Sequence, residues 1–131
     1  MKQAPNWFPK VHRMPSEWVQ PDTFPDLSGY DEIAIDLETK DPNLNKRMGS
    51  GSVVGEGDVV GISLATHDWC AYYPIAHEGG GNMDRKMVLK WLQDQLNTPA
   101  TKIFHNAMYD VCWLRALGLK INGRIVDTMI A

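Results

Sequence analysis

Two carboxylates, Asp36 and Glu38, stand two residues apart where the apolar run Ile33-Ala34-Ile35 ends, and Thr39 follows them. In an extended strand, residues i and i+2 project to one face, with Cα atoms roughly 6–7 Å apart. Like charges this close repel, so the pair is costly unless a cation sits between them. Asp36 and Glu38 therefore read as half of a metal site. A second group lies downstream in Phe104-His105-Asn106-Ala107-Met108-Tyr109-Asp110, which passes from a strand into a helix. Asn106, Tyr109 and Asp110 fall on neighbouring positions of one helix side, at its N-terminal end. That end carries partial positive charge and suits an aspartate or an anionic phosphate. Singly, Asn106 reads as an ordinary helix cap and Asp110 as an exposed helix carboxylate; together with Asp36 and Glu38 they suggest a site.

The elements that must position these residues follow from periodicity. Glu32 to Asp36 reads as a first strand, apolar enough for a sheet interior. Residues 40–58 form a polar connection rich in Asn and Gly. Its Lys40, Lys46 and Arg47 stand near the carboxylates, suited either to phosphate contact or to simple solvation. The glycines do not make a phosphate-binding loop, since neither GK[ST] nor GxGxxG opens a helix here. Val59–Ala65 and Trp69–Ile75 read as a second and third strand, joined closely enough by Thr66-His67-Asp68 to pair as a hairpin. His77 follows in a loop containing Gly79-Gly80-Gly81 and reads as a surface histidine rather than a ligand. Met83, Met87, Val88, Trp91, Leu92 and Leu96 recur at helical spacing, with Asn82 as cap and Asp84 in the first turn. Thr98-Pro99 stops that helix. A strand at 101–105, a helix at 107–117 stopped by Gly118, and a strand at 124–126 complete the pattern. Asp127-Thr128 reads as the cap of a third helix that the sequence leaves within one turn.

Length and composition set the bounds. With 131 residues, 44% of them hydrophobic, the chain suits one domain with a single core. The formal charge of −3 excludes a strongly basic nucleic-acid sleeve. It remains compatible with an enzyme that binds Mg²⁺ through carboxylates and grips phosphate through the metal. Cys70 and Cys112 lack any metal-ligand spacing and read as free thiols of a reducing cytosol. With no signal peptide and no long apolar run, the expected location is cytoplasmic, neither secreted nor in a membrane. Five of the eight prolines fall within the first 25 residues. Residues 1–28 therefore read as an arm before a domain at 29–131. Trp7, Phe8, Trp18 and Phe24 suggest that the arm packs on the domain surface; a stacking platform for bases is the alternative.

The order strand–Asp-x-Glu-Thr, hairpin, helix, strand–His-Asn-x-x-Tyr-Asp–helix resembles the exonuclease superfamily with four acidic metal ligands, DEDD. Asp36-Leu37-Glu38-Thr39 matches its first motif and Asn106 through Asp110 its second. Gly118-Leu119 and Asp127-Thr128-Met129 match the usual sequel. More narrowly, residues 31 to 131 are similar to the 3′–5′ proofreading domain of family A, phage-type DNA polymerases. The resemblance implies an α/β, ribonuclease H-like fold: a mixed sheet with strands 1–3 antiparallel, later strands parallel, and flanking helices. It implies two divalent ions, Mg²⁺ or Mn²⁺, held by Asp36, Glu38 and Asp110, with Asp36 bridging. Leu37, Thr39, Asn106 and Tyr109 would lie against the terminal nucleotide. The implied partners are a single-stranded DNA 3′ end and a downstream polymerase domain. The family's third motif, a Tyr or His four residues before a fourth acid, is missing: the only acid after Asp110 is Asp127, with Gly123 at that spacing. The expectation is thus a C-terminally incomplete domain, slow or inactive alone. An RNA exonuclease of the RNase D type shares both motifs. A non-catalytic nucleic-acid-binding module on the same fold is the third reading, though it would gain nothing from the repulsive Asp36–Glu38 pair.

Overall fold

The structure is a computed structural model that describes residues 21, 23–40 and 57–129. Its elements are β1 (Glu32–Lys40), β2 (Asp58–Ala65), β3 (Cys70–Pro74), α1 (Arg85–Leu96), β4 (Thr101–Phe104), α2 (Ala107–Ala116) and β5 (Ile125–Asp127). They form one mixed sheet of order β3-β2-β1-β4-β5. The β1–β2 and β2–β3 pairs are antiparallel, and β4 and β5 run parallel to β1. This is the α/β, ribonuclease H-like arrangement that the motif order implies.

β1 is longer than its apolar run suggests. β2 goes on pairing with it through both carboxylates, with Asp36 opposite Ser63 and Glu38 opposite Gly61, until the register shifts between Glu38 and Thr39. The acids are therefore strand residues, and strand alternation sorts them from the core. Ile33, Ile35 and Leu37 go to one face, across from Leu64 and Ile62, and join the buried cluster; Asp36 and Glu38 go to the other. β4 pairs only with Glu32, Ile33 and Ala34, so the second half of β1 has no strand on that side.

Two caps differ from the sequence expectation. Asp84, not Asn82, caps α1: its carboxylate accepts the Met87 N–H at 3.0 Å. Asn82 instead closes the 77–82 loop, accepting the His77 N–H at 2.7 Å and donating to the His77 carbonyl at 3.0 Å. At α2, Asn106 holds the cap position in a left-handed conformation (φ 73°), but its side chain makes no capping bond. The carboxylate of Asp127 does this work, accepting the N–H groups of Asn106 at 3.0 Å and Ala107 at 2.9 Å. Asp127 also accepts the Met129 N–H at 2.9 Å, the local turn expected of it. Residues 130–131, where a third helix was expected to continue, lie outside the described residues.

The core also reaches into the segment read as arm. Phe24 stacks on Tyr73, with ring centroids 5.6 Å apart, and meets Trp91 edge-on at 5.7 Å. Trp91 Nε1 donates to the Pro25 carbonyl at 2.7 Å, and the Tyr73 hydroxyl donates to the Thr23 carbonyl at 3.0 Å. Leu27 is 1% exposed, and its N–H donates to Gln95 Oε1 at 2.8 Å. Trp7, Phe8, Trp18, Lys46 and Arg47 lie outside the described residues. A lysine in mid-strand is the other surprise. Lys102 of β4 is fully buried, and its ammonium donates to the carbonyl and hydroxyl of Thr98, just past α1, where helix carbonyls favour a cation. Burial lowers its pKa. No helix among the described residues is long and apolar enough to cross a membrane.

Leu27 offers a direct check that residues 23–30 belong to the folded unit. Leu27→Ala is expected to lower the unfolding free energy by about 2–4 kcal/mol in urea titrations, as for a fully buried leucine. A loss below about 0.5 kcal/mol, typical of a surface position, would assign the segment to the periphery.

Candidate active site

α2 enters the sheet where β1 has no strand beside it. The carboxyl group of Asp110, in the first turn of α2, accepts the backbone N–H of Leu37 and is only 3% exposed. Its Oδ2 is buried without a hydrogen-bond partner. Burial, then the charge of Asp36, then that of Asp127, pushes the Asp110 pKa up to about 8, against a smaller lowering by the Leu37 N–H. At neutral pH Asp110 therefore holds a proton beside Asp36, because two carboxylates this close do not both ionise readily.

An orphaned, buried carboxylate oxygen next to a second carboxylate is a donor set that fits a divalent cation. The fit is that of an open site. Among the described residues, no three His, Cys, Asp or Glu side chains close around a common point. Mg²⁺ accepts such an arrangement, since it binds through one or two carboxylates and retains water. Asp36 is central: its charge acts on Asp110 on one side and on Tyr72 on the other.

The remaining sequence-selected residues gather nearby. Thr39 Oγ1 and the Tyr109 hydroxyl share a hydrogen bond of 2.7 Å, and Tyr109 leans edge-on against Trp113. This bond ties β1, beyond its register shift, to α2. Asn106 is the only non-glycine residue with positive φ among those described. Asparagine tolerates that conformation better than most residues, at a cost of about 1–3 kcal/mol that surrounding bonds must offset. Leu37 sends its side chain into the core and gives the site its backbone N–H.

Sequence reasoning missed the neighbours of Glu38. The Tyr72 hydroxyl donates to Glu38 Oε2 at 2.7 Å and also hydrogen-bonds His77 Nε2. His77 Nε2 lies 3.8 Å from Glu38 Oε2, with its side chain mostly covered. It is therefore no surface histidine but a neighbour of the acid pair. Tyr72 is on β3, two strands from Glu38, so only the sheet register could have revealed it. Burial, the Glu38 bond and the charges of Glu38 and Asp36 push the Tyr72 phenol far above its ordinary range, which keeps it a neutral donor. Lys40, considered above for phosphate contact, forms an exposed ion pair with Glu78.

With this geometry in hand, the relatives are informative. No family model matches the sequence. The chain is 37% identical over 109 residues to a DNA-directed DNA polymerase of Pseudomonas phage M6, covering 80% of this chain and 16% of that protein. It is 36% identical over 76 residues to DNA polymerase I of Chloroflexus aurantiacus, covering 56% of this chain and 8% of that protein. The chain thus spans about one-sixth or less of the length of these relatives, and it is homologous to a portion of them. Among solved structures, the EXO domain of Nibbler from Aedes aegypti shares the fold, with a TM-score of 0.53 and 17% identity over 77% of this chain and 44% of that one. Homology to a portion of DNA polymerases and the fold of an EXO domain are consistent with the DEDD exonuclease resemblance carried by the two acidic motifs.

The Asp110 carboxyl gives stability a distinctive pH dependence. Its pKa is near 8 in the folded chain and about 3.9 in the unfolded one. A raised folded pKa means that stability is full below pH 3.9 and is lost as pH rises towards and through 8. In EDTA at pH 8, Asp110→Asn is expected to be more stable than wild type by about 2–4 kcal/mol. The gap should close by pH 4, which denaturant titrations at both pH values would reveal. An equal gap at both would mean that the buried charge is not its cause.

Proposed function

We propose that this chain is a 3′–5′ exonuclease domain that removes the terminal nucleotide of a DNA strand with two divalent cations, Mg²⁺ or Mn²⁺, and that it proofreads for an attached polymerase domain. The observation that carries this reading is the burial of Asp110 within reach of the charge of Asp36. A helix acid is buried with one oxygen left orphaned, in a chain homologous to part of DNA polymerases. A second carboxyl group buried with one oxygen unpartnered calls for a ligand.

In this reading Asp36, Glu38 and Asp110 hold the cations, with Asp36 between the other two. Cations held there would supply Lewis-acid activation of a water and charge stabilisation for phosphodiester cleavage. The chain's own residues orient. Thr39 and Tyr109, joined by their hydrogen bond, fix the edge of the site where a terminal sugar and phosphate would rest. Asn106 holds the turn ahead of α2, and the backbone of Leu37 fixes the Asp110 carboxyl. The substrate is a single-stranded 3′ end, and the reaction takes place in the cytoplasm. The chemistry lies within residues 29–131, and residues 23–28 pack on that unit.

The test is cleavage of 5′-labelled single-stranded DNA and RNA by the whole protein in Mg²⁺ or Mn²⁺, compared with the Asp36→Ala/Glu38→Ala double variant. Stepwise shortening of DNA from the 3′ end is expected, with a loss of at least about 10³-fold in the double variant, as for removal of groups that act as a unit. Unchanged cleavage in the variant would sink the metal mechanism. RNA cleaved in preference to DNA would move the substrate, and absence of cleavage on both would favour a binding module.

A further inference from the structure

We propose that Tyr72 and His77 are positioning residues that aim the Glu38 carboxylate, and that Gly61 is the slot through which they reach it. The proposal deepens the reading of Glu38 as a cation ligand and rests on it. Tyr72 pairs with Ser63 on β2, and Ser63 pairs with Asp36 on β1, so the three side chains share one row of the sheet. Glu38 belongs to the next row, opposite Gly61. To reach Glu38 Oε2, the Tyr72 ring slants from its own row across the place where residue 61 would carry a Cβ. A Cβ built there would lie 1.8 Å from the phenol oxygen and 2.2 Å from Cζ. Only glycine leaves that path open.

The proton arrangement follows from donor count. The phenol has one hydrogen, and Glu38 as a carboxylate can only accept, so Tyr72 donates to Oε2. Its oxygen then accepts from His77, which fixes the Nε2–H form of the imidazole. His77 is itself held: Asn82 brackets its backbone with two hydrogen bonds, and its ring meets Tyr72 edge-on at 5.8 Å. The result is a directed chain, His77 to Tyr72 to Glu38. It occupies Oε2 and presents Oε1 to a cation. A glutamate on a strand face otherwise samples several rotamers, and outer partners of this kind commonly set metal affinity by 10–100-fold.

Mn²⁺ binding by electron paramagnetic resonance, with thermal melts alongside, tests this without any catalytic readout. Tyr72→Phe is expected to weaken Mn²⁺ binding about tenfold while leaving the melting temperature within a few degrees. Glu38→Gln should weaken binding on its own, and adding Tyr72→Phe to it should cost less than about twofold more, because the tyrosine acts through that carboxylate. His77→Gln, whose amide can still donate, should retain most of the affinity that His77→Phe loses. Gly61→Ala should behave like Tyr72→Phe. If Tyr72→Phe proves too unstable to titrate, the two His77 variants decide the matter. Wild-type affinity in both Tyr72→Phe and His77→Phe, with binding lost in Glu38→Gln, would overturn the positioning role and leave the metal reading standing. Equal loss from Tyr72→Phe with and without Glu38 would also overturn it. Wild-type affinity in Glu38→Gln would remove Glu38 as a cation ligand, and this proposal with it.

Discussion

Asp110 is a buried carboxyl group near enough to Asp36 to feel its charge, and much of the architecture exists to make that possible. β4 must stop pairing after Ala34 of β1, or a strand would lie where Asp110 stands. The N-terminus of α2 must then point into the gap. Its first N–H groups are occupied by Asp127, which arrives from β5 on the far side of β4. That capping acid adds to the repulsion on Asp110 rather than relieving it. The fold thus holds three acids in one neighbourhood, and hydrophobic packing beneath them must supply the stability that their proximity removes.

The two ends of the acid row are prepared differently. On the Glu38 side the Tyr72 hydroxyl links the carboxylate to His77, so Oε2 is held. On the Asp110 side one oxygen is orphaned and the group retains a proton. Asp36 stands between them and feels both.

Much of this was legible in the sequence because it depends on local pattern. The apolar run of β1, the hairpin between β2 and β3, the helical spacing of α1 and the strand-to-helix passage at Asn106 are all short-range patterns, and the structure follows them within a residue or two except at the end of β1, which runs on to Lys40. The acids Asp36, Glu38 and Asp110 were picked out by type and spacing. What stayed hidden depends on contacts between distant segments. The bond from Tyr72 to Glu38 requires knowing the β1–β2–β3 register, and the capping of α2 by Asp127 requires knowing that β5 lies beside β4. His77 offered no ligand spacing, so its place beside Glu38 was invisible. Lys102 lies in a short strand whose sequence gives no sign of its burial, and the position of Thr98 after α1 explains it. Leu27 sat among prolines that mark an arm, yet Gln95 and the core claim it.

Gly61 ties these threads together. In sequence it is an ordinary glycine inside a Val-Val-Gly-Ile-Ser-Leu strand, where it weakens β-structure by offering no side chain to pack. In the sheet it is the residue opposite Glu38, and its missing side chain is the path of the Tyr72 ring. A strand-weakening residue at the position facing a candidate metal ligand needs a compensating reason, and the tyrosine supplies one. The sheet gives up packing at one point to place a neutral hydroxyl donor against a carboxylate. The same exchange of stability for placement governs Asp110, where a helix accepts a buried acid, and Asn106, where the backbone accepts a left-handed turn. All three concessions lie within the few residues around Asp36, which is where a local departure from good folding practice is expected if the acids there bind a ligand.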